Sequence, residues 1–236
     1  MVVASPWREA RTPVGPVASI YRAFIDVRLA LSREALYQEQ VKTYGKPDGT
    51  LAPLNLDSLQ TPLINSCVRE VLRIHPPLHS IMRKVIADLP VTHLEDRSYV
   101  VPKGHFVLAA PGVTQVDSRY WKDPTTYNPY RWMGETSEVS EQLAKDADGE
   151  TQDFGWGVIS TGASSPYIPF GAGRHRCIGE QFAHVQLGTI LATLVREVTW
   201  SLPAGKVPGQ DYTTMIVMPK NPRSVVFKRR STKKAD

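Results

Sequence analysis

The chain has few cysteines and no long apolar run, and both absences narrow its class. Two cysteines among 236 residues, Cys67 and Cys177, cannot build a disulfide framework and fit a reducing compartment. No run of roughly 18 or more apolar residues marks a transmembrane helix, and the first residues lack the apolar segment of a signal peptide. The sequence therefore predicts a chain without its own anchor or leader.

The sequence contains no internal repeats and no nucleotide-binding glycine motif, and it has few charge runs. The net charge is +5, but the basic residues are scattered except at 228–230 and in the basic tail, residues 231–236. We interpret that tail as a solvated terminus, with a targeting signal as the alternative, and we expect no nucleic-acid partner. Hydrophobic residues make up 42% and charged residues 22%, which is typical of a globular fold of one large or two small domains.

Periodicity and breakers predict three main helices. The first begins near Ser32 and stops near Gly45, because strong helix formers fill the interval. The second begins either at an Asp57–Gln60 capping box or at Thr61, with Pro62 in the first helical position, and ends at residues 76–77, both proline. A long third helix follows Gly179.

The remaining elements are short. Residues 81–85 are weakly strand-like, and residues 99–101 and 106–108 read as the two arms of a hairpin. Residues 117–121 read as a short helix, and residues 212–219 and 224–227 read as a terminal hairpin. Residues 135–152 are acidic and polar, which indicates an exposed insertion.

The most informative stretch runs from Phe170 to Gly179. Gly171 and Gly173 allow positive φ angles and a close approach to a bulky planar partner. Cys177 lies just before the long helix, whose free N–H groups favour a thiolate, and basic side chains at 174–176 add positive charge. From these features alone the thiolate could be a nucleophile, a redox thiol or an iron ligand, with a structural cysteine as the alternative.

This stretch resembles the cysteine-ligand loop of the cytochromes P450, Phe-x-x-Gly-x-Arg-x-Cys-x-Gly. Phe170, Gly173, Cys177 and Gly179 match it, and His175 replaces the usual arginine. The histidine, and the run Phe-Gly-Ala-Gly-Arg-His-Arg-Cys-Ile-Gly-Glu as a whole, resemble the fungal sterol 14α-demethylases. The haem-ligand interpretation is therefore preferred over a structural cysteine.

A second motif lies about a hundred residues earlier. Glu70 and Arg73 are spaced for a simple surface ion pair on a helix. Their order relative to the cysteine loop nevertheless resembles the Glu-x-x-Arg helix of the cytochromes P450, and Arg131 resembles the third member of that triad. The resemblance implies that the three side chains lock the helix to the segment before the loop, without taking part in the chemistry.

The resemblance covers residues 36–230 and implies a mainly α fold with small β-sheets, the C-terminal half of the P450 fold. Residues 1–35 form a head without resemblance. The implied cofactor is haem b, held through the iron by Cys177 and contacted by Phe170 and Gly173. His175 and Arg83 would hold its propionates; without the resemblance, Arg83 reads as part of a solvated strand edge. The substrate cavity would be lined by four side chains, namely His79, Ser80, Ile81 and Met215, although Met215 unaided reads as core.

The implied reaction is oxygen- and NADPH-dependent removal of a sterol 14α-methyl group. The implied partners are NADPH–cytochrome P450 reductase, docking near Arg174 and Arg176, the sterol, and azole-type inhibitors. The implied location is the endoplasmic reticulum membrane. The family's oxygen-activating helix should precede Leu36, and no acid–alcohol pair is recognised there, so no catalytic residue is assigned. The alternatives are a truncated, non-catalytic haem-binding fragment and an interaction or structural domain without haem.

Overall fold

A core of three helices flanked by short antiparallel strand pairs makes up the described part of the chain. The computed structural model describes residues 27–59, 61–94, 97–133, 151–153, 158–160, 165–201, 209–220 and 226–230. Most of the head, most of the acidic insertion and the whole basic tail lie outside these ranges.

The helices follow the predicted breakers closely. They are α1 (Val27–Tyr44), α2 (Pro62–Ile74), the single turn α3 (Pro111–Thr114) and α4 (Glu180–Glu197). In the described ranges three 3-10 turns accompany them, at Asp57–Leu59, Pro129–Trp132 and Gly173–His175. Helix α1 ends before Gly45 as predicted but begins five residues earlier than Ser32.

Of the two starts predicted for α2, the second is confirmed and the first is wrong. Thr61 is the N-cap and Pro62 is the first helical residue, where its missing N–H costs nothing. Asp57 instead heads a separate 3-10 turn. Ser58 and Asn55 close that turn through their side chains, which removes Asp57 from the helix.

The short helix predicted at residues 117–121 is also wrong. These residues form turns, and the only helical turn near them in the described chain is α3, which begins at Pro111. The Asp117 carboxylate accepts a hydrogen bond from the Arg119 backbone N–H at 2.9 Å. Such local bonding by aspartate competes with helix formation.

The core lies where α1, α2 and α4 meet. Helix α2 presents Ile64, Cys67 and Val71 to this core, while Leu187 and Leu191 enter from α4 and Leu36 from α1. Cys67 is fully buried, as predicted for a small core residue. Burial raises the pKa of its thiol to about 12, so Cys67 carries no thiolate at neutral pH.

The strands pair two by two. They are β1 (Ile81–Lys84), β2 (Leu89–Leu94), β3 (Arg97–Val101), β4 (Phe106–Ala109), β5 (Thr151–Asp153), β6 (Val158–Ser160), β7 (Val198–Ser201), β8 (Gln210–Asp211), β9 (Met218–Pro219) and β10 (Val226–Arg229). The antiparallel pairs are β1–β4, β2–β3, β5–β6, β7–β10 and β8–β9.

Both predicted hairpins are therefore wrong in their pairing. The chain does turn at residues 102–104, but Val85 exchanges hydrogen bonds with Gly104 and His105, both 2.8 Å, and so extends the β1–β4 ladder. Strand β3 pairs instead with β2. At the other end, β8 and β9 pair within residues 210–219, and β10 pairs with β7 through Phe227 opposite Trp200.

The fold class is confirmed: the described chain is mainly helical with small sheets. Across the ranges that the structure covers, no helix combines the length and apolar character needed to cross a membrane. The three-helix core leaves the cysteine loop at the N-terminal end of α4.

Candidate functional site

The cysteine loop is a tight turn held by its own backbone. Gly171 and Gly173 have φ angles of +75° and +60°, the left-handed region that glycine adopts without strain. The Cys177 N–H donates to the Phe170 carbonyl at 2.8 Å, and the Gly171 N–H donates to the Ile168 carbonyl at 3.0 Å. These bonds fix both ends of the loop and confirm the predicted turn.

The Cys177 thiol lies on the surface at the start of α4. It is exposed, whereas Cys67 is buried. A Cβ placed on Gly179 would lie 3.7 Å from the Cys177 sulfur, so this glycine keeps the surroundings of the sulfur open. Ile178 and Phe182 beside it are 104% and 67% exposed. An open thiol thus lies among apolar surface groups, near the positive end of a helix dipole.

The basic residues of the loop divide into two kinds. Arg176 binds Glu180 bidentately, with both N–O distances 2.7 Å, and Glu180 is buried. Arg174 and His175 are exposed. Glu180, the first residue of α4, therefore balances the charge of Arg176. Within the described part of the chain, Arg174 is the arginine of the predicted docking patch that forms no ion pair.

The buried side chain of His184, on α4, packs against Phe170 at the start of the cysteine loop. Its ring lies 5.5 Å from the Phe170 ring, centroid to centroid, and its side chain is buried. Burial, together with the positive charges of Arg69 and Arg176, lowers the pKa of His184 to about 4, and burial has the largest effect. His184 is thus neutral at physiological pH. The sequence pattern did not single it out.

The structure brings Glu70, Arg73 and Arg131 together as predicted. The Arg73 Nε and Nη2 atoms lie 2.9 and 2.8 Å from the Glu70 carboxylate, and Arg131 Nε lies 3.1 Å from it. Glu70 and Arg73 are each 0% exposed, so the surface-pair interpretation is wrong. Burial raises the pKa of Glu70, but the bonds and charge of Arg73, with Asn128 N–H and Arg131, outweigh it, so the pKa is lowered.

Arg73 uses its whole guanidinium group. Besides Glu70, it donates to the main-chain carbonyls of Gln115 and Pro124, both at 2.7 Å, and of Thr126 at 3.5 Å. Five hydrogen bonds therefore account for its five N–H groups. The planar fork fixes the end of α2 against the segment 115–126.

Two further donors to Glu70 were not predicted. Trp132 Nε1 and the Asn128 backbone N–H each lie 2.9 Å from the carboxylate. The Trp132 ring also meets the Tyr167 ring at 4.7 Å, and the Tyr167 hydroxyl donates to the Arg69 carbonyl at 3.4 Å. An aromatic contact thus links the buried carboxylate to the segment that leads into the cysteine loop.

The predicted substrate residues lie beside this loop and beside residues 212–217. His79 Nδ1 lies 2.8 Å from Ser80 Oγ, and the His79 ring meets the Tyr212 ring edge-on at 5.1 Å. A Cβ on Gly171 would lie 4.0 Å from Ile81 Cδ1, so Ile81 borders the loop. Met215 is 79% exposed, which makes its interpretation as core wrong.

Arg83 lies on β1, opposite Val107 of β4. Its side chain is exposed, and its Nη1 donates to the Met82 carbonyl at 3.0 Å. The solvated strand edge expected from sequence alone is therefore observed. No group of three or more His, Cys, Asp or Glu side chains in the described ranges could hold a metal ion.

Comparisons with known proteins agree on one family. The profile of the family described as "Cytochrome P450" matches residues 33–227. The lanosterol 14-alpha demethylase of Mycosarcoma maydis is 49% identical over 211 residues, covering 84% of this chain and 37% of that protein. The one from Cunninghamella elegans is 44% identical over 194 residues, with 82% and 37% covered. The sterol 14-alpha demethylase cyp51A of Aspergillus fumigatus is 41% identical over 222 residues, with 91% and 41% covered.

A solved structure shares the fold. The retinoic acid-bound cyanobacterial CYP120A1 superimposes with a TM-score of 0.67 over 91% of this chain and 43% of its own, at 22% identity. The chain thus spans a little over a third of the length of the first two curated relatives, 37%.

Proposed function

The chain belongs to the cytochrome P450 family, and from that premise we propose that Cys177 is the thiolate ligand of a haem iron. The observation that carries this proposal is the exposed thiol at the start of α4, in a loop whose two glycines have positive φ angles. A single thiolate is the donor that P450 haem requires from its protein. The residues present therefore fit the group.

Other side chains of the loop would hold the cofactor without ligating it. Phe170 and Gly173 shape the turn that a flat ring can approach, because glycine brings no Cβ there. The exposed side chains of Arg83 and His175 would bind the propionates. When bound, a thiolate-ligated haem supplies iron for dioxygen activation and receives electron density from the sulfur.

We infer a sterol as substrate and oxidative 14-demethylation as the reaction of the domain to which these residues belong. Support comes from relatives at 41–49% identity whose names state lanosterol or sterol 14-alpha demethylase. His79, Ser80, Ile81 and Met215 would contact the sterol. An NADPH-dependent reductase at the endoplasmic reticulum membrane would supply electrons near Arg174, and azole-type compounds would bind as inhibitors.

The coverage of the relatives favours a second candidate for this chain taken alone. Because it spans 37% of the first two curated relatives, it could bind haem without turnover. No acid–alcohol pair for proton delivery is recognised in the sequence. The same experiment separates this candidate from the first and from a fold that takes up no haem.

The experiment is haem reconstitution of the purified full chain. We expect a thiolate-type red-shifted Soret band in the reduced, CO-bound spectrum, and its loss in Cys177→Ser. Cys67→Ala is the matched control, because it removes the buried thiol and should leave the band in place. A band that survives in Cys177→Ser refutes the ligand assignment.

Turnover is then measured with lanosterol, reductase and NADPH by mass spectrometry of the sterol products. Demethylated product supports the enzyme, and a thiolate-type band without product supports the non-catalytic candidate. No haem uptake by the folded chain supports a domain that keeps the fold without haem.

A further inference from the structure

Gln115 is a buried side-chain amide whose hydrogen bonds join two parts of the site. It is 0% exposed and follows α3 directly. Its Oε1 accepts a hydrogen bond from the Ile168 N–H at 2.9 Å, and its Nε2 donates to the carbonyls of Leu72 and Arg73 at 3.0 and 2.9 Å. Both amide N–H groups and the amide oxygen are therefore used.

At one end, Gln115 caps α2. The last carbonyls of a helix have no partner within the helix. In α2 the Val71 carbonyl accepts from the His75 N–H, and the Ile74 carbonyl accepts from Gln210 Nε2 at 3.5 Å. The two carbonyls between them are those that Gln115 binds. The amide thus completes the C-terminus of the helix that carries Glu70.

At the other end, Gln115 holds the segment that leads into the cysteine loop. The Ile168 carbonyl accepts from the Gly171 N–H, and the Phe170 carbonyl accepts from the Cys177 N–H at 2.8 Å. Gln115 therefore binds the residue whose carbonyl closes one end of the loop, two positions before Phe170, whose carbonyl closes the other. Without the Gln115 bond, the Ile168 N–H loses its acceptor and the loop loses this anchor to α2.

We propose that Gln115 is a positioning residue for the Cys177 thiolate: it sets the place of the cysteine loop relative to the end of α2. It does not touch the sulfur and acts through Ile168 and the loop backbone. The proposal rests on the proposed haem-thiolate function for its consequence, but its structural part stands on the bonds of the haem-free chain.

The chain offers a matched control in Gln40. This side chain is also 0% exposed and also uses its amide fully, donating to Ser58 and Thr61 and accepting from Arg196. None of these partners belongs to the cysteine loop. Gln115→Met and Gln40→Met each remove the hydrogen bonds of a buried amide, and only the first removes a support of Cys177.

The first readout is amide hydrogen exchange in the haem-free full chain. We expect Gln115→Met to speed exchange of the Gly171 and Cys177 N–H groups about tenfold relative to Gln40→Met, the factor that one lost hydrogen bond corresponds to. Equal exchange at Cys177 in the two variants overturns the proposal, whatever their melting temperatures. If Gln115→Met does not fold, Gln115→Asn, which is one methylene shorter, must give the same direction.

The second readout is the reduced, CO-bound spectrum after reconstitution. We expect Gln115→Met to lose part of the thiolate-type band to a form without thiolate, and Gln40→Met to keep the wild-type spectrum. If wild type takes up no haem, the proposed function fails while the exchange measurement still decides on Gln115. If wild type shows the band and the two variants share it equally, the positioning role fails and the function stands.

Discussion

Replacing Glu70 by glutamine tests how much stability the buried carboxylate contributes. Its two oxygens accept five hydrogen bonds, two from Arg73 and one each from Arg131, Trp132 and the Asn128 backbone. An amide oxygen in place of Oε1 can keep three of them. The new NH2 group then faces Arg73 Nε and Trp132 Nε1, which are donors too.

The expected loss follows from these contacts. Two bonds to a charged acceptor are worth about 3 to 6 kcal/mol together, and breaking one partner out of a buried ion pair costs about 3 to 5 kcal/mol. We expect Glu70→Gln to lower the free energy of unfolding by about 4 kcal/mol at neutral pH. That is a large share of the roughly 5 to 15 kcal/mol available to a domain.

The loss should also depend on pH. Because the pKa of Glu70 is lowered in the folded chain, its contribution is fully present above the unfolded pKa of about 4.3. It is lost as the pH falls through the folded pKa. The difference between wild type and Glu70→Gln should therefore shrink on acidification.

Urea unfolding followed by tryptophan fluorescence measures both effects. With a slope near 2 kcal/mol per molar urea, the midpoint should fall by about 2 M. Asp117→Asn is the control, because its partner Arg119 has a side chain 78% exposed and the midpoint should not move. A shift in Glu70→Gln below about 0.5 M, or one that does not shrink in acid, refutes the reasoning.

Three further outcomes are expected from single residues of the site. Iodoacetamide should label Cys177 in the native chain and Cys67 only after unfolding, as peptide mass spectrometry would report; early labelling of Cys67 contradicts its burial. Because the pKa of His184 is lowered to about 4 in the folded chain, the free energy of unfolding of wild type should fall by up to about 1.4 kcal/mol per pH unit as the pH drops from 6.5 to 4. Unfolding measured across this pH range should show that slope in wild type and not in His184→Phe. Gly173→Ala should cost about 1 to 2 kcal/mol in urea unfolding, because its φ is +60° and no neighbour lies within 4 Å of the added Cβ; no cost would contradict backbone strain.

The helices and the cysteine loop could be predicted because the residues that mark them act locally. Pro62 after Thr61 marked the start of α2, and Gly171 and Gly173 marked the turn before Cys177, since each acts through its own backbone. The apolar period after Gly179 likewise predicted α4. The triad was predicted through its resemblance, although its burial was not.

Two strand pairs and several side-chain partners depended on distant residues. Strand β4 pairs with β1 and β10 pairs with β7, in each case across intervening strands, whereas the predicted hairpins assumed that each strand pairs with its nearest predicted neighbour. Nothing in the sequence next to Trp132 or Gln115 indicates the hydrogen-bond partner of either side chain. Their partners are far away in sequence: Glu70 lies 62 positions from Trp132, and Ile168 lies 53 positions from Gln115.

The five hydrogen bonds of Arg73 restrict the amino acid at position 73 more than they restrict the amino acids at the positions it binds. Its acceptors outside Glu70 are main-chain carbonyls at residues 115, 124 and 126, which every amino acid supplies. Those contacts therefore place no demand on the side chains there. Position 73 has no such latitude, because lysine offers three donors and no other natural side chain presents five in one plane. The single arginine at position 73 thus binds three stretches of backbone through main-chain atoms alone, so these three contacts would form with any side chain at positions 115, 124 and 126.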